Sequence, residues 1–307
     1  HRKKGFFMMN QQNKIFDSET PLPDGHLLSR QKTLLGFDNR YSKIRNQLRL
    51  LLNLGKLESW GVKFHQNNLP ICSLVSDQYP LVIFHGDVGT GKTATAECVA
   101  NMLAKDSGAE DSILFKISNR VRGSGKVGEM GTLINQAFAE VIKSAGKNRR
   151  GILIIDEGDS LASSRTQEHS HHEDKVAVNT LIQCIDDLRK YQGRIVVFLC
   201  TNRLSVLDAA LIRRAAVVEE FSRPSDAERL ALFDMDLQGL GLSPQQKGVL
   251  VKATGPNEGR PGWTFSDIRT RLYPAALAKA FPDKPLSYEI ILQTAISLKA
   301  SPVMEDR

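Results

Sequence analysis

The sequence predicts an α/β protein. Its main domain should have three layers, with a parallel β-sheet between helices, and its last part should be a small helical domain. From residue 81 onward, five short apolar runs alternate with segments of helical periodicity. Continuous apolar strands between helices are typical of a parallel sheet that is buried on both faces. Beyond residue 222 the patterns are helical only. These two observations predict a covered sheet followed by a helical domain.

The elements follow one another in a regular order. Residues 1–36 carry scattered polar residues and the stretch TPLPDG, so we expect a flexible N-terminal extension. The amphipathic stretch YSKIRNQLRLLLNL predicts a helix near the start of the large domain, residues 37–222. The predicted strands are LVIFH from residue 81, ILFKIS from 113, GILIID from 151, RIVVFLC from 194 and AVVEEF from 216. The small domain should cover residues 223–307, with helical stretches such as DAERLALFDMDL.

The composition excludes a membrane-spanning or disulfide-rich class. The chain has 307 residues, of which 41% are hydrophobic and 24% charged, as in ordinary globular proteins. No apolar run approaches the roughly 18 residues of a membrane span, so we expect a cytoplasmic protein without membrane contact. The 4 cysteines show no metal-ligand spacing. Cys98 and Cys200 lie in apolar segments, which predicts buried, reduced thiols.

A glycine-rich loop directly follows the first predicted strand. GDVGTGKT matches the phosphate-loop pattern GxxxxGK[ST] in full and precedes a helical segment. Glycines let backbone N–H groups surround phosphate oxygens, and the following helix adds its positive dipole end. Lys92 should reach the β- and γ-phosphates, and the Thr93 hydroxyl should bind Mg²⁺. The predicted nucleotide-binding residues are Gly86, Asp87, Val88, Gly89, Thr90, Gly91, Lys92 and Thr93.

Polar residues also end two later strands. The apolar run ILII is followed by Asp156 and Glu157, and VVFLCT is followed by Asn202. At the carboxyl edge of a parallel sheet, Asp156 should lie near the magnesium ion and Glu157 should polarise the water that attacks the γ-phosphate. Asn202 should hold that water or a γ-oxygen. A Glu beside the Asp favours hydrolysis over simple binding.

With these motifs in order, the sequence resembles the AAA+ ATPases. The matching stretches are GDVGTGKT, ILIIDE, FLCTN and LDAALIRRA, the last at residues 207–215. The resemblance implies strand order 5-1-4-3-2, a helical lid, Mg-ATP and a homohexameric ring. It also implies arginine fingers that reach the neighbouring subunit's nucleotide, a role we assign to Arg214 first and Arg213 second. In the lid, the stretch TFSDIRTRLYPAAL should supply a basic residue towards the γ-phosphate. We expect this residue to be Arg269, with Arg271 as the alternative and Ser266 as the helix N-cap.

Within this class, the chain is similar to the remodellers of HORMA-domain proteins, the pachytene-checkpoint and thyroid-receptor-interactor family. The likeness lies in RGSGKVGEMGTLINQAFAEV and VNTLIQCIDDLRKYQGRIVVFLCTNR. It implies a first pore loop at Arg120, Val121 and Arg122, although the family usually has an aromatic residue where this chain has Val121. Only about 36 residues precede the large domain, as in bacterial members encoded beside antiphage cyclic-oligonucleotide synthases. The implied partner is a HORMA-domain protein, also in complex with such a synthase, and the implied role is to keep signalling off.

Two other functions and one other site remain open. The net charge of +7 and the pI of about 9.2 suit a DNA-directed AAA+ motor or loader. No stacking aromatics interleave with the basic residues, so we do not expect nucleic acid as the partner. A nucleotide-gated scaffold without turnover conflicts with the intact Lys92, Asp156, Glu157 and Asn202. The histidine-rich segment 169–172 suits a second pore loop better than a zinc site.

Overall fold

The computed structural model describes residues 15–76, 78–106, 111–117, 129–160 and 172–304. The predicted pore-loop residues Arg120, Val121 and Arg122 lie outside these ranges, as do His169 and His171. Among the helices described, none combines the length and the apolar character needed to cross a bilayer.

The described chain alternates strands and helices as predicted. The strands are β1 (Phe16–Leu22), β2 (Leu81–Gly86), β3 (Ser112–Ile117), β4 (Arg150–Ile155), β5 (Ile195–Thr201) and β6 (Ala215–Phe221). The helices before β5 are α1 (Gly25–Gln31), α2 (Phe37–Leu51), α3 (Leu54–His65), α4 (Pro70–Ser76), α5 (Lys92–Asp106), α6 (Glu129–Ala145) and α7 (His172–Asp187). Those after it are α8 (Ala209–Arg214), α9 (Asp226–Asp236), α10 (Pro244–Ala253), α11 (Tyr273–Ala280) and α12 (Tyr288–Ser297).

The six strands form one sheet in the order β1-β3-β4-β5-β2-β6. Strands β2 to β6 pair in parallel with one another. Counted from β2 as the first, these five strands lie in the order 5-1-4-3-2 when read from β6, so the predicted order is confirmed. The sheet as a whole is mixed, because β1 pairs antiparallel with β3 at one edge.

Strand β1 corrects the expectation of a flexible extension for the residues it contains. Phe16 and Leu22 are buried, and the Phe16 ring lies 5.0 Å from the Phe115 ring between centroids. The following turn is fixed by Asp24, whose N–H donates to Asn101 Oδ1 at 2.7 Å and whose carbonyl accepts from Asn101 Nδ2 at 3.0 Å. The sequence FDSETPL does not predict this strand, because only its first and last residues are buried and no apolar alternation results.

Alternate strand residues pack against helices on opposite faces of the sheet. On one face, Leu81, Ile83 and Leu153 lie in a core with residues of α6 and α7. On the other, Val82, Phe84 and Ile154 lie in a core with residues of α2 and α5. This confirms the three layers. Cys98 and Cys200 are fully buried in the second core as free thiols, as predicted.

The C-terminal helices form a third core of their own. Its buried members include Leu232, Phe233, Leu250, Trp263, Ile268, Leu272 and Ile291. A capping box at Ser225 starts α9: its hydroxyl accepts from Glu228 N–H, and the Glu228 side chain accepts from Ser225 N–H. The division at residue 222 stays a prediction, which this separate core supports. We call the helical region from α9 to α12 the lid.

The lid contains a π-helical turn, Asp267–Leu272, where the expected cap is wrong. Ser266 makes no side-chain cap bond. Instead, the Thr264 hydroxyl accepts from Asp267 N–H at 3.0 Å, and the Asp267 carboxylate accepts from Thr264 N–H at 3.1 Å. The helix therefore begins before Ser266, which is earlier than the sequence pattern predicted.

We expect Phe16→Ala to lower the free energy of unfolding by about 3 kcal/mol, because it removes a buried ring from the contact with Phe115. Urea denaturation followed by circular dichroism measures this change. Glu19→Ala on the exposed part of β1 is the matched control and should leave stability almost unchanged. Equal stability of Phe16→Ala and the parent would contradict the docking of β1.

Candidate nucleotide site

The loop between β2 and α5 owes its shape to glycines. Gly86 has φ 133°, and a Cβ at this position would lie 2.1 Å from Phe221 O. Gly91 has φ 96°, a conformation that L side chains rarely adopt. A side chain would clash at Gly86 and would be strained at Gly91, and the glycines let the loop bring its backbone N–H groups close to an anion.

Lys92 extends back across this loop. Its ammonium group donates to Gly86 O and to Asp87 O, each at 2.8 Å. The residue is only 7% exposed, and this burial lowers the pKa of Lys92, an effect that Cys200 and Asp156 oppose. The loop thus encloses a single buried amine, in the place where the motif requires the phosphate-binding lysine.

The predicted metal ligands meet across the site. Thr93 Oγ1 lies 3.0 and 2.9 Å from the two carboxylate oxygens of Asp156, to which it donates. A hydroxyl and a carboxylate are hard oxygen ligands and fit Mg²⁺, which keeps several waters and takes further oxygens from substrate phosphates. The described residues hold no group of three or more His, Cys, Asp or Glu side chains that could bind a metal alone.

Glu157 occupies a strained turn at the edge of the sheet. Its φ is 51°, in the left-handed region that costs a non-glycine residue about 1–2 kcal/mol. The next residue, Gly158, has no room for a side chain, because a Cβ would lie 2.4 Å from Leu199 Cδ1. The turn of Glu157 and Gly158 is thus packed on β5 and directly follows the predicted metal ligand Asp156. Strain of this kind is common at functional positions.

Asn202 lies between the loop and the acidic pair, because β5 is the strand between β2 and β4. The turn after β5 is held by Asp159: the Thr201 hydroxyl donates to its Oδ1 at 3.3 Å, and Asn202 N–H does so at 3.5 Å. The sheet order thus brings together the residues that the sequence predicted as one site.

The two predicted arginine fingers have different surroundings. The Arg214 guanidinium binds Asp186 through two bonds of 2.5 and 3.0 Å and lies 5.2 Å from the Tyr79 ring centroid. The hydrogen bond to Asp186 raises the pKa of Arg214. Arg213 is exposed, and its side chain makes no hydrogen bond or ion pair with the described residues. Arg214, the first predicted arginine finger, is therefore bound within its own chain, whereas Arg213, the second, is available to a neighbour.

The lid arginines are also paired. Arg269 binds both Asp236 oxygens at 2.7 Å, and its Nη1 donates to Thr33 O at 2.7 Å. Arg271 donates to Asp267 Oδ1 at 2.8 Å. Arg269 thus joins the lid to the segment before α2, which is a different contact from the predicted one with a γ-phosphate.

A cavity of about 370 Å³ lies at this same segment. It is lined by Gln31, Lys32, Leu34, Gly36, Phe37, Asp38 and Asn39. Its volume falls within the range of about 300–1,000 Å³ that small-molecule sites occupy. The segment that Arg269 fixes through Thr33 therefore lines a cavity of ligand size.

The sequence patterns did not predict a row of ion-paired side chains next to Asp156. Lys116 Nζ on β3 lies 3.6 Å from Asp156 Oδ2 and 3.5 Å from Glu97 Oε1 on α5. Glu97 in turn pairs with Arg30 of α1 at 2.5 Å. The available signal was a lysine inside the apolar run ILFKIS, since a charge on a buried strand requires a partner.

Fold and site together define an ATPase of the AAA class. Residues 82–223 match the family described as ATPase family associated with various cellular activities (AAA). CD-NTase-associated protein 6 of Escherichia coli strain KTE188 is 63% identical over 294 residues, which cover 96% of this chain and 99% of that protein. The chain therefore belongs to the CD-NTase-associated protein 6 family of Trip13-like AAA ATPases.

Solved structures agree with this relationship. A chain of the E. coli MS115-1 HORMA:CdnC:Trip13 complex superposes with a TM-score of 0.86 at 36% identity, covering 94% of this chain and 97% of that chain. A Rhizobiales Trip13 superposes with a TM-score of 0.70 at 31% identity, covering 94% and 99%.

We expect Lys116→Met to lower the free energy of unfolding by about 1 kcal/mol, because Glu97 and Asp156 lose the cation between them. The double variant Glu97→Gln/Lys116→Met should cost less than the sum of the two single variants, since the repulsion is then reduced. Urea denaturation without nucleotide measures this coupling. The exposed Lys105→Met is the control, and strict additivity would argue against the network.

Proposed function

We propose that this ATPase works as a hexameric ring that uses Mg-ATP hydrolysis to remodel a HORMA-domain protein. The remodelling disassembles the complex of that protein with a cyclic-oligonucleotide synthase, and so keeps bacterial antiphage signalling off. The observation that carries the proposal is the match, over 94% of this chain, to a chain of the HORMA:CdnC:Trip13 complex. The intact nucleotide site supports the hydrolysis.

In this proposal, residues of the nucleotide site carry each step of hydrolysis. The loop amides and Lys92 would bind the β- and γ-phosphates, and Thr93 and Asp156 would hold Mg²⁺, whose charge would offset that of the phosphates. Glu157 accepts the proton of the attacking water, and Asn202 orients that water.

Arg213 is the residue best placed to act on a neighbouring subunit's nucleotide. It is exposed and carries no counter-charge among the described residues, whereas Arg214 is held by Asp186. In this proposal Arg214 orients the end of α8 so that Arg213 points outward. A site completed by the next subunit would make hydrolysis depend on assembly.

The substrate should enter the ring through its pore. Arg120, Val121 and Arg122 are the proposed contacts, in which the arginines bind carbonyls or carboxylates of an extended segment. The protein should act in the cytoplasm, where reduced thiols persist; the described cysteines are free and buried.

Glu157→Gln should bind ATP and fail to hydrolyse it, with a loss of at least about a hundredfold in kcat. In the presence of ATP this variant should retain a HORMA-domain protein in a stable complex, as seen in a pull-down followed by mass spectrometry. Lys92→Ala is the control, because without nucleotide it should retain nothing. Hydrolysis by Glu157→Gln at the parent rate would show that the base lies elsewhere. Retention of DNA in place of a HORMA-domain protein would favour the DNA-directed motor.

Arg213→Ala should reduce ATPase activity by about a thousandfold without changing the unfolding temperature. Arg214→Ala should instead lower the unfolding temperature, and Asp186→Asn should reproduce that effect because it breaks the same ion pair. Mixing Arg213→Ala with Lys92→Ala subunits should restore activity at about one interface in four, since those interfaces contain both intact residues. No rescue in verified mixed rings would mean that Arg213 does not act between subunits.

A further inference from the structure

The phosphate loop contains an acidic residue, which opposes its use as an anion site. Asp87 follows Gly86 directly, and its side chain is only 10% exposed. A carboxylate within about 10 Å of bound phosphates repels them, and it does so more strongly where little water screens the charge. The loop therefore requires a fixed cation beside Asp87.

That cation is Arg223. Its Nε donates to Asp87 Oδ2 at 2.5 Å, and its side chain is 13% exposed. Arg223 lies in the linker between β6 and α9, where the chain passes from the sheet into the lid. The ion pair thus joins the phosphate loop to the linker that leads into the lid.

The other two guanidinium nitrogens bind segments beyond the lid's first helices. Nη1 donates to Gly262 O at 2.6 Å, and Nη2 donates to Pro302 O at 2.9 Å. Asp87 Oδ1 also accepts from Met304 N–H at 3.3 Å. One side chain therefore connects the loop, the lid and the C-terminal tail, which we define as residues 301–304.

The tail is anchored to the lid independently. The Ser301 hydroxyl donates to Asp267 Oδ1 at 2.5 Å, and Ser301 N–H donates to Asp267 Oδ2 at 3.2 Å. On the other side of the loop, Ser266 N–H donates to Gly89 O at 3.1 Å. The loop is thus held by the lid at Gly89 and, through Arg223, at Asp87.

We infer that Arg223 is a positioning residue of the nucleotide site with two separable effects. It neutralises Asp87 so that the loop can bind phosphates, and it ties the loop to the lid and to the tail. The inference rests on the proposed use of residues 86–93 as the phosphate site.

The test uses full-length variants to separate the effect of charge from that of tethering. Arg223→Gln should weaken binding of a fluorescent N-methylanthraniloyl ADP about tenfold, because Asp87 is left uncompensated, and added salt should reduce this difference. Asp87→Asn should bind at least as tightly as the parent. The double variant Asp87→Asn/Arg223→Gln should bind within about threefold of the parent, since the opposing charge is gone. Arg260→Gln, an exposed lid arginine, is the matched control and should bind like the parent.

Hydrogen exchange reports on the tether. Exchange at Met304 N–H should accelerate in Arg223→Gln, Asp87→Asn and the double variant alike. Arg223→Lys keeps the charge but not the three-way fork, so it should bind ADP like the parent and still show faster exchange. If Arg223→Gln bound ADP as tightly as the parent, or if the double variant bound it no more tightly than Arg223→Gln, the neutralising effect would be overturned. Unchanged exchange would overturn the tether. If Lys92→Ala bound the nucleotide as the parent does, the phosphate-site assignment itself would fail.

Discussion

The site depends on one constraint of the sheet, namely that parallel strands deliver their carboxyl ends to the same edge. The phosphate loop follows β2, Asp156 follows β4, Asn202 follows β5, and the linker with Arg223 follows β6. Because β5 lies between β2 and β4, its end meets both neighbours. The hydrogen bonds from Thr93 to Asp156 are the direct result, since they join residues 63 positions apart. Without this strand order the motifs would be separate turns.

Ion pairing within the chain then determines which basic side chains near the site remain available to a ligand. Arg214, Arg223 and Arg269 each bind a carboxylate of their own chain. Such pairs fix a guanidinium in one geometry and so position neighbouring groups more than they contribute charge to a ligand. Lys92 and Arg213 are different: among the described residues, neither side chain forms an ion pair within 4.0 Å. Lys92 is enclosed by the loop, and Arg213 is exposed at the end of α8.

The segment before α2 links all parts of the fold. Strand β1 extends the sheet, Arg30 of α1 pairs with Glu97 on the helix that follows the phosphate loop, and Thr33 accepts a bond from Arg269 in the lid. Leu35 packs against the lid core. This segment therefore connects the lid with the edge strand and with the helix that carries Thr93.

The sequence alone determined the features that contiguous residues encode. The glycine loop, the apolar strands and the polar residues at their ends each follow from a local pattern, and the resemblance supplied the strand order. Only the tertiary structure decided the long-range partners. Phe16 packs on Phe115, Thr264 and not Ser266 caps the lid helix, and Arg214 pairs with Asp186 across 28 positions. The physical reason is that an exposed arginine and a paired one have the same letter in the sequence. What distinguishes them is the carboxylate that folding places beside one and not beside the other.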